Sequence, residues 1–186
     1  MNLKIKHILP LLLLLISISS YGQQVAIKTN GMYWLATTPN VGFELVTGER
    51  TSLDISAAMT NRVWSNSCKM VVLQPEWRYW FNGRPMVREY IGIAALGASY
   101  DITWGRRTYD GDAFGAGLTM GYALPLNKRL TIEFYGGFGA VYFRQKQYYV
   151  DDNYSDFIEN EALQVNSSGY KLIPIKLGVS ISYIIK

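Results

Sequence analysis

From Val25 onward one pattern recurs: apolar residues alternate with small or polar ones at a period of two, the signature of a strand with one apolar face. In the last segment Ile173, Ile175, Leu177, Val179, Ile181, Tyr183 and Ile185 share a face, opposite Pro174, Lys176, Gly178, Ser180 and Ser182. Leu130, Ile132, Phe134 and Phe138 oppose Thr131, Glu133 and Gly137, and Phe114, Ala116, Leu118, Met120 and Tyr122 oppose Gly115, Gly117, Thr119 and Gly121. Val71, Leu73, Pro75, Trp77 and Tyr79 oppose Gln74, Glu76, Arg78 and Trp80, while Leu53, Ile55, Ala57 and Met59 oppose Ser52, Asp54 and Ser56. Weaker strands fall at residues 25–35, 41–46 and 87–100, and in the last of these the faces are not distinguishable. The expected fold is all-β with eight strands, the smallest number typical of a closed transmembrane barrel.

The connections support that fold through their parity. Residues 47–50, 82–85 and 125–128 are tight turns carrying Gly48, Asn82-Gly83, Pro125 and Asn127. Residues 61–69, 101–112 and 144–169 are long and polar. An antiparallel eight-stranded barrel places the tight turns at one end and the long loops at the other, as outer-membrane barrels do. The polar faces are small, as suits a narrow interior filled by side chains. Charged residues make up 17% of the chain, below the usual quarter, so a solvent-facing exterior is poorly provided for. Tyr33, Trp34, Tyr79, Trp80, Phe81, Tyr100, Tyr122 and Tyr142 gather toward strand ends, where interfacial girdles belong.

The N-terminus reads as an address. Lys4 and Lys6 precede an apolar run over residues 8–18, too short to span hydrocarbon, and small residues Ser20 and Gly22 follow. This predicts a cleaved signal peptide over residues 1–22 and a mature barrel over residues 23–186. No Cys follows the cut, so the signal is not of the lipoprotein type. Cleavage removes Lys4, Lys6 and the single histidine, His7, leaving 16 basic against 14 acidic residues, +2 in place of +4. That balance gives no electrostatic basis for a nucleic-acid partner.

In the final strand, Lys176-x-Gly178-x-x-Ile181-x-Tyr183 resembles the C-terminal signal read by the outer-membrane assembly machinery, although Ile184, Ile185 and Lys186 follow the aromatic. More widely, Lys28-Thr29-Asn30 with Tyr33-Trp34, Thr37-Thr38-Pro39-Asn40, Gln74-Pro75-Glu76-x-Arg78-Tyr79-Trp80-Phe81, Gly115-Ala116-Gly117 and Gly121-Tyr122 are similar to a family of small outer-membrane barrels of Bacteroides-type bacteria. That family is catalogued as a domain of unknown function within the OmpA/OmpX-like barrel group. The resemblance implies a fold and an outer-membrane location. It carries over no catalytic residue.

The chemistry-bearing residues are few. A chain without His7 holds no histidine to serve as general base, so no enzyme is expected, and no catalytic, cofactor or metal site is assigned. Asp151-x-Asn153-x-Ser155 opens like a calcium loop, but Asp156 and Ala162 stand where an EF-hand needs Gly and Glu. A solvated acidic loop is favoured over a looser calcium site built from Asp151, Asp152, Asp156, Glu159 and Glu161. Gly115-x-Gly117-x-x-x-Gly121 misses the dinucleotide fingerprint and lies in a strand. Glu44, Glu76, Arg78, Glu133 and Lys176 fall on inward faces and are expected to form a polar network inside the barrel; a narrow ion or proton path is the competing reading. Cys68 sits in a long loop.

Function is then expected in the outward loops, where Tyr148, Tyr149, Asp151, Asp152, Tyr154 and Phe157 have a composition suited to polar recognition. The expected role is adhesion, surface contact, envelope assembly or structural support. The expected partners are outer-membrane lipid, the assembly machinery, and a surface protein or glycan. The competing classes are a narrow channel for small solutes and a periplasmic lipocalin-like carrier.

Overall fold

A computed structural model of the chain describes residues 24–63, 66–150, 158–159, 162–163 and 165–185. The expected signal segment, 1–22, lies outside them. The strands are β1 (Val25–Asn30), β2 (Asn40–Val46), β3 (Thr51–Val63), β4 (Asn66–Trp80), β5 (Arg88–Trp104), β6 (Arg107–Pro125), β7 (Leu130–Tyr149), β8 (Ile158–Glu159), β9 (Ala162–Leu163) and β10 (Ser167–Ile184). One short helix, α1 (Gly31–Leu35), follows β1. Eight antiparallel strands form one closed barrel in the order β1-β10-β7-β6-β5-β4-β3-β2, and β8 and β9 pair only with each other.

Each strand pairs with its sequence neighbour, and β10 returns to β1, so tight turns suffice at one end. In the β2–β3 turn the Thr47 and Gly48 amides both donate to the Thr51 carbonyl. In the β6–β7 turn the Asn127 side chain accepts from the Arg129 and Leu130 amides at 2.8 Å each, an Asx turn. Gly83 and Gly105 take φ of +70° and +63°, the left-handed region that glycine enters without strain.

Along most of the segments whose alternation is clear in the sequence, the faces fall as expected. Thr131, Glu133 and Gly137 are buried while Phe134 and Phe138 are exposed, and Asp54, Gln74, Glu76 and Arg78 are buried while Ile55, Met59, Val71 and Leu73 are exposed. In β5, whose faces the sequence left undecided, Tyr90, Gly92 and Ala94 point inward, between exposed Ile91 and Ile93.

Four expectations are corrected. The first strand ends at Asn30, not residue 35, because the Asn30 side chain accepts from the Met32 amide and caps α1. Ile175 is buried beside Lys176, not exposed with Ile181. The β10–β7 register shifts between Pro174 and Lys176, a bulge where Pro offers no amide to the ladder. Residues 61–69 and 101–112 are chiefly strand rather than loop: β5 and β6 run on to Trp104↔Arg107, with the Thr103 and Thr108 hydroxyls 3.1 Å apart. Ladder pairing needs backbone groups alone, so a polar stretch extends a strand as readily as an apolar one. Finally, three of the aromatics expected in girdles belong to the interior side. Trp80 is fully buried against Tyr90, Tyr33 donates to Gln74, and Tyr100 packs against a buried apolar cluster.

Two apolar clusters fill the barrel at different levels. One, at the turn end, contains Ala26, Trp80, Met86, Tyr90 and Ala123. The other, nearer the hairpin end, contains Ala94, Ala113, Val141 and Ile175. Between them the interior is charged.

Candidate functional site: a charged cluster inside the barrel

Seven charged side chains from six strands meet in the barrel: Lys28 on β1, Glu44 on β2, Asp54 on β3, Glu76 and Arg78 on β4, Glu133 on β7 and Lys176 on β10. All are buried. Their convergence follows from the period-two geometry, which places alternate residues of every strand on the inner wall.

Arg78 is the hub. Its Nε and Nη2 donate to Glu76 Oε2 at 3.0 and 2.8 Å, and its Nη1 donates to Glu44 Oε2 at 3.0 Å and Glu133 Oε2 at 3.1 Å. Its guanidinium carbon lies 4.5 Å from the Tyr90 ring centroid. Lys28 donates to both Glu133 oxygens at 2.7 and 2.8 Å and also pairs with Glu44. Lys176 bridges Asp54 at 2.7 Å and Glu76 at 2.6 Å. Hydroxyls complete the carboxylate shells: Ser52 donates to Glu44, Thr119 to Glu76, and Ser182 to Glu133. Charges taken out of water persist only when paired and hydrogen-bonded in this way. A void of about 20 Å3 beside Lys28, Asp54, Arg78 and Lys176 has room for roughly one water. Four carboxylates against three cations leave the cluster a formal charge of −1.

The five residues expected inside, Glu44, Glu76, Arg78, Glu133 and Lys176, all belong to this cluster. Lys28 and Asp54 were missed as members. Asp54 already stood on the polar face of its segment, and Lys28 alternates with Ala26 and Asn30, both buried.

The residues of the expected assembly signal divide between the two faces. Lys176 and Gly178 point inward, Ile181 and Tyr183 outward. Gly178 has a packing reason of its own: a Cβ there would stand 2.2 Å from Asn30 Nδ2, which donates to the Leu177 carbonyl.

Of the expected loop contacts, Tyr148 and Tyr149 lie in β7, opposite Thr108 and Arg107. Arg107 donates to the Tyr149 hydroxyl and sits 4.6 Å from the centroid of its ring. Hydrogen bonding to Tyr149 and then Tyr109 holds the Arg107 guanidinium above its ordinary pKa. Asp151, Asp152, Tyr154 and Phe157 lie outside the described residues. Cys68 is buried in β4 instead of lying in a long loop, and burial with nearby Asp101 pushes its thiol up, away from the reactive thiolate. Among the described residues no group of three or more His, Cys, Asp or Glu side chains could hold a metal ion.

The outward face is the inverse of the inner one. Large apolar residues stand exposed along β2 to β7 and β10, among them Phe43, Ile55, Val71, Ile93, Leu118, Phe138 and Ile181. A family model described as "Protein of unknown function (DUF3575)" matches residues 8–185. The chain belongs to this family. The match takes in every strand of the barrel and all seven charged residues of its interior. Neither the curated proteins nor the solved structures gave a match.

Proposed function

We propose that this member of the family is a non-enzymatic outer-membrane barrel of the OmpA/OmpX-like kind, delivered by a cleaved signal over residues 1–22 and working through surface contact at its hairpin end. The observation that carries the reading is its inversion: charges inside, large apolar side chains outside. On β7 the outward residues Phe134 and Tyr142 are eight positions apart. At ~3.4 Å per residue and a tilt of ~40° that is about 21 Å of height, near the ~25 Å apolar band of such barrels. Trp34, Phe81, Tyr122 and Tyr170 lie exposed at or near strand ends, as interfacial aromatics would.

The filled interior favours a non-conducting barrel over a channel. A lipocalin-like carrier would instead turn its apolar face inward around a ligand. At the hairpin end the β5–β6 tip offers Trp104, 72% exposed, beside Arg107 stacked on Tyr149, the residue types that dominate contact surfaces. The surface partner expected there is a protein or glycan.

Heat-modifiable mobility of the detergent-folded protein on a denaturing gel tests the barrel, with membrane fractionation alongside. A band that shifts on boiling, from a protein that pellets with membranes, is expected; unchanged mobility or a soluble fraction defeats the reading. Conductance across planar bilayers tests the rest, and steady discrete channels would overturn the non-conducting role.

A further inference from the structure

The outer wall is not evenly bulky. Across β6, β7 and β10 it carries a groove of about 610 Å3. Strand register explains it. Gly136 lies between Met120 and Leu177, and Ala140 between Ala116 and Leu172, so Ala116, Gly136 and Ala140 form a low floor. Phe138, 64% exposed, and its register partner Leu118 rise between Gly136 and the Ala116–Ala140 pair, and Leu177 flanks Gly136. The bulge at Pro174 interrupts the regular pleat alongside Phe138.

The groove points toward a charge. On the same outward face of β7, beyond Ala140, come Tyr142 and then Arg144. Tyr142 packs against Tyr170 at a centroid distance of 5.0 Å. Arg144 is exposed, and among the described residues no ion pair joins it to Asp112, its register partner on β6. One step higher, Lys146 and Asp110 do pair, at 3.8 Å. Arg144 is six residues from Phe138, or about 20 Å along the strand and about 16 Å in height at a tilt of ~40°. Half of a ~30 Å hydrocarbon core is nearly the same. With Phe138 at the midplane, the guanidinium stands at the level of the lipid phosphates.

We infer that the groove holds one acyl chain of an anionic phospholipid whose phosphate pairs with Arg144. The inference rests on the proposed membrane location. In hydrocarbon there is no hydrophobic drive toward the groove, because bulk lipid is equally apolar. Selection comes from close packing along the floor and from the charge-assisted guanidinium–phosphate contact. A second copy of the chain would be served by the apolar groove alone and would leave Arg144 without an anion.

Native mass spectrometry of the detergent-folded, delipidated protein tests this, with dipalmitoylphosphatidylglycerol as probe and dipalmitoylglycerol as its phosphate-free counterpart. A Cβ on Gly136 would meet only Leu177 Cδ1, at 3.7 Å, so Gly136→Leu fills the groove without displacing backbone. One phosphatidylglycerol retained per barrel is expected, with retention about tenfold lower for Gly136→Leu and for Arg144→Gln. Ala57→Leu, exposed on β3, should match the wild type. Equal retention of both lipids, or wild-type retention by Gly136→Leu, overturns the assignment, as does a dimer that Gly136→Leu abolishes. Each variant is first shown to be heat-modifiable, so failure of the barrel reading is visible separately from failure of the groove.

Discussion

Replacing Arg78 with Met should be the most damaging single removal of a charge from the barrel interior. The substitution keeps a long apolar stem but removes a guanidinium that donates to Glu44, Glu76 and Glu133 and faces the Tyr90 ring. The loss is less than the sum of those bonds, because every carboxylate keeps other donors. Glu44 retains Ser52 and Lys28, Glu76 retains Thr119 and Lys176, and Glu133 retains Lys28 and Ser182. What remains is a charge deficit: four buried carboxylates against Lys28 and Lys176. Breaking a buried ion cluster by removing one partner costs ~3–5 kcal/mol. Equilibrium urea unfolding in lipid vesicles, followed by tryptophan emission, would read this as a midpoint shift at unchanged slope. Adding Glu76→Gln to Arg78→Met removes one stranded carboxylate and should recover part of the loss, a coupling the double-mutant cycle measures directly. A single variant within about 1 kcal/mol of wild type, or a double variant as weak as the sum of the singles, would refute the account of Arg78 as the hub.

Gln74→Met should cost ~1–3 kcal/mol in the same unfolding assay, because Gln74 Nε2 donates to the bulge carbonyl of Ile175 at 2.5 Å and Met leaves that carbonyl buried without its partner. Gly178→Ala should cost ~1–3 kcal/mol through the clash with Asn30, and Asn30→Ala in the same chain should relieve much of it. At Gly117 an added Cβ would stand 2.1 Å from the Phe138 carbonyl oxygen, so Gly117→Ala should prevent the heat-modifiable band from forming. Trp80→Phe deletes the 2.8 Å bond to Ser52 within the turn-end cluster and should lower stability by ~1 kcal/mol in the urea titration.

The inner and outer walls could be read in the sequence wherever one face is apolar and the other is not. Glu76, Arg78, Glu133 and Lys176 stood out for that reason, and Asp54 lay on the polar face of its segment without being counted among them. The same rule failed where the physics that produces alternation stops acting. Beyond the apolar band neither face of a strand needs to be apolar, so the β5–β6 hairpin through Asp101 and Asp112 had the composition of a loop. At Pro174 a missing amide shifts the register, and Ile175 changes sides with no change in the residue pattern. At Asn30 a side chain ends β1 by capping α1, and Tyr33 and Trp34 leave the ladder. Lys28 escaped notice because β1 has only six residues, too few for alternation to stand out from chance.

The join between β1 and β10 sets the order in which this ring can be completed. Every other pair joins barrel strands that follow one another along the chain, whereas this one unites residues 150 to 158 positions apart over five register pairs, Ala26↔Ile184 to Asn30↔Ser180. Loop-closure entropy makes such a pairing slow, so the latch engages last. It also brings Lys28, already beside Glu44 through the β1–β2 pairing, up to Glu133 on β7. Until then the unclosed sheet carries acids short of a counter-charge on its future inner wall and keeps that wall wet. Expelling water and locking the latch are therefore one event.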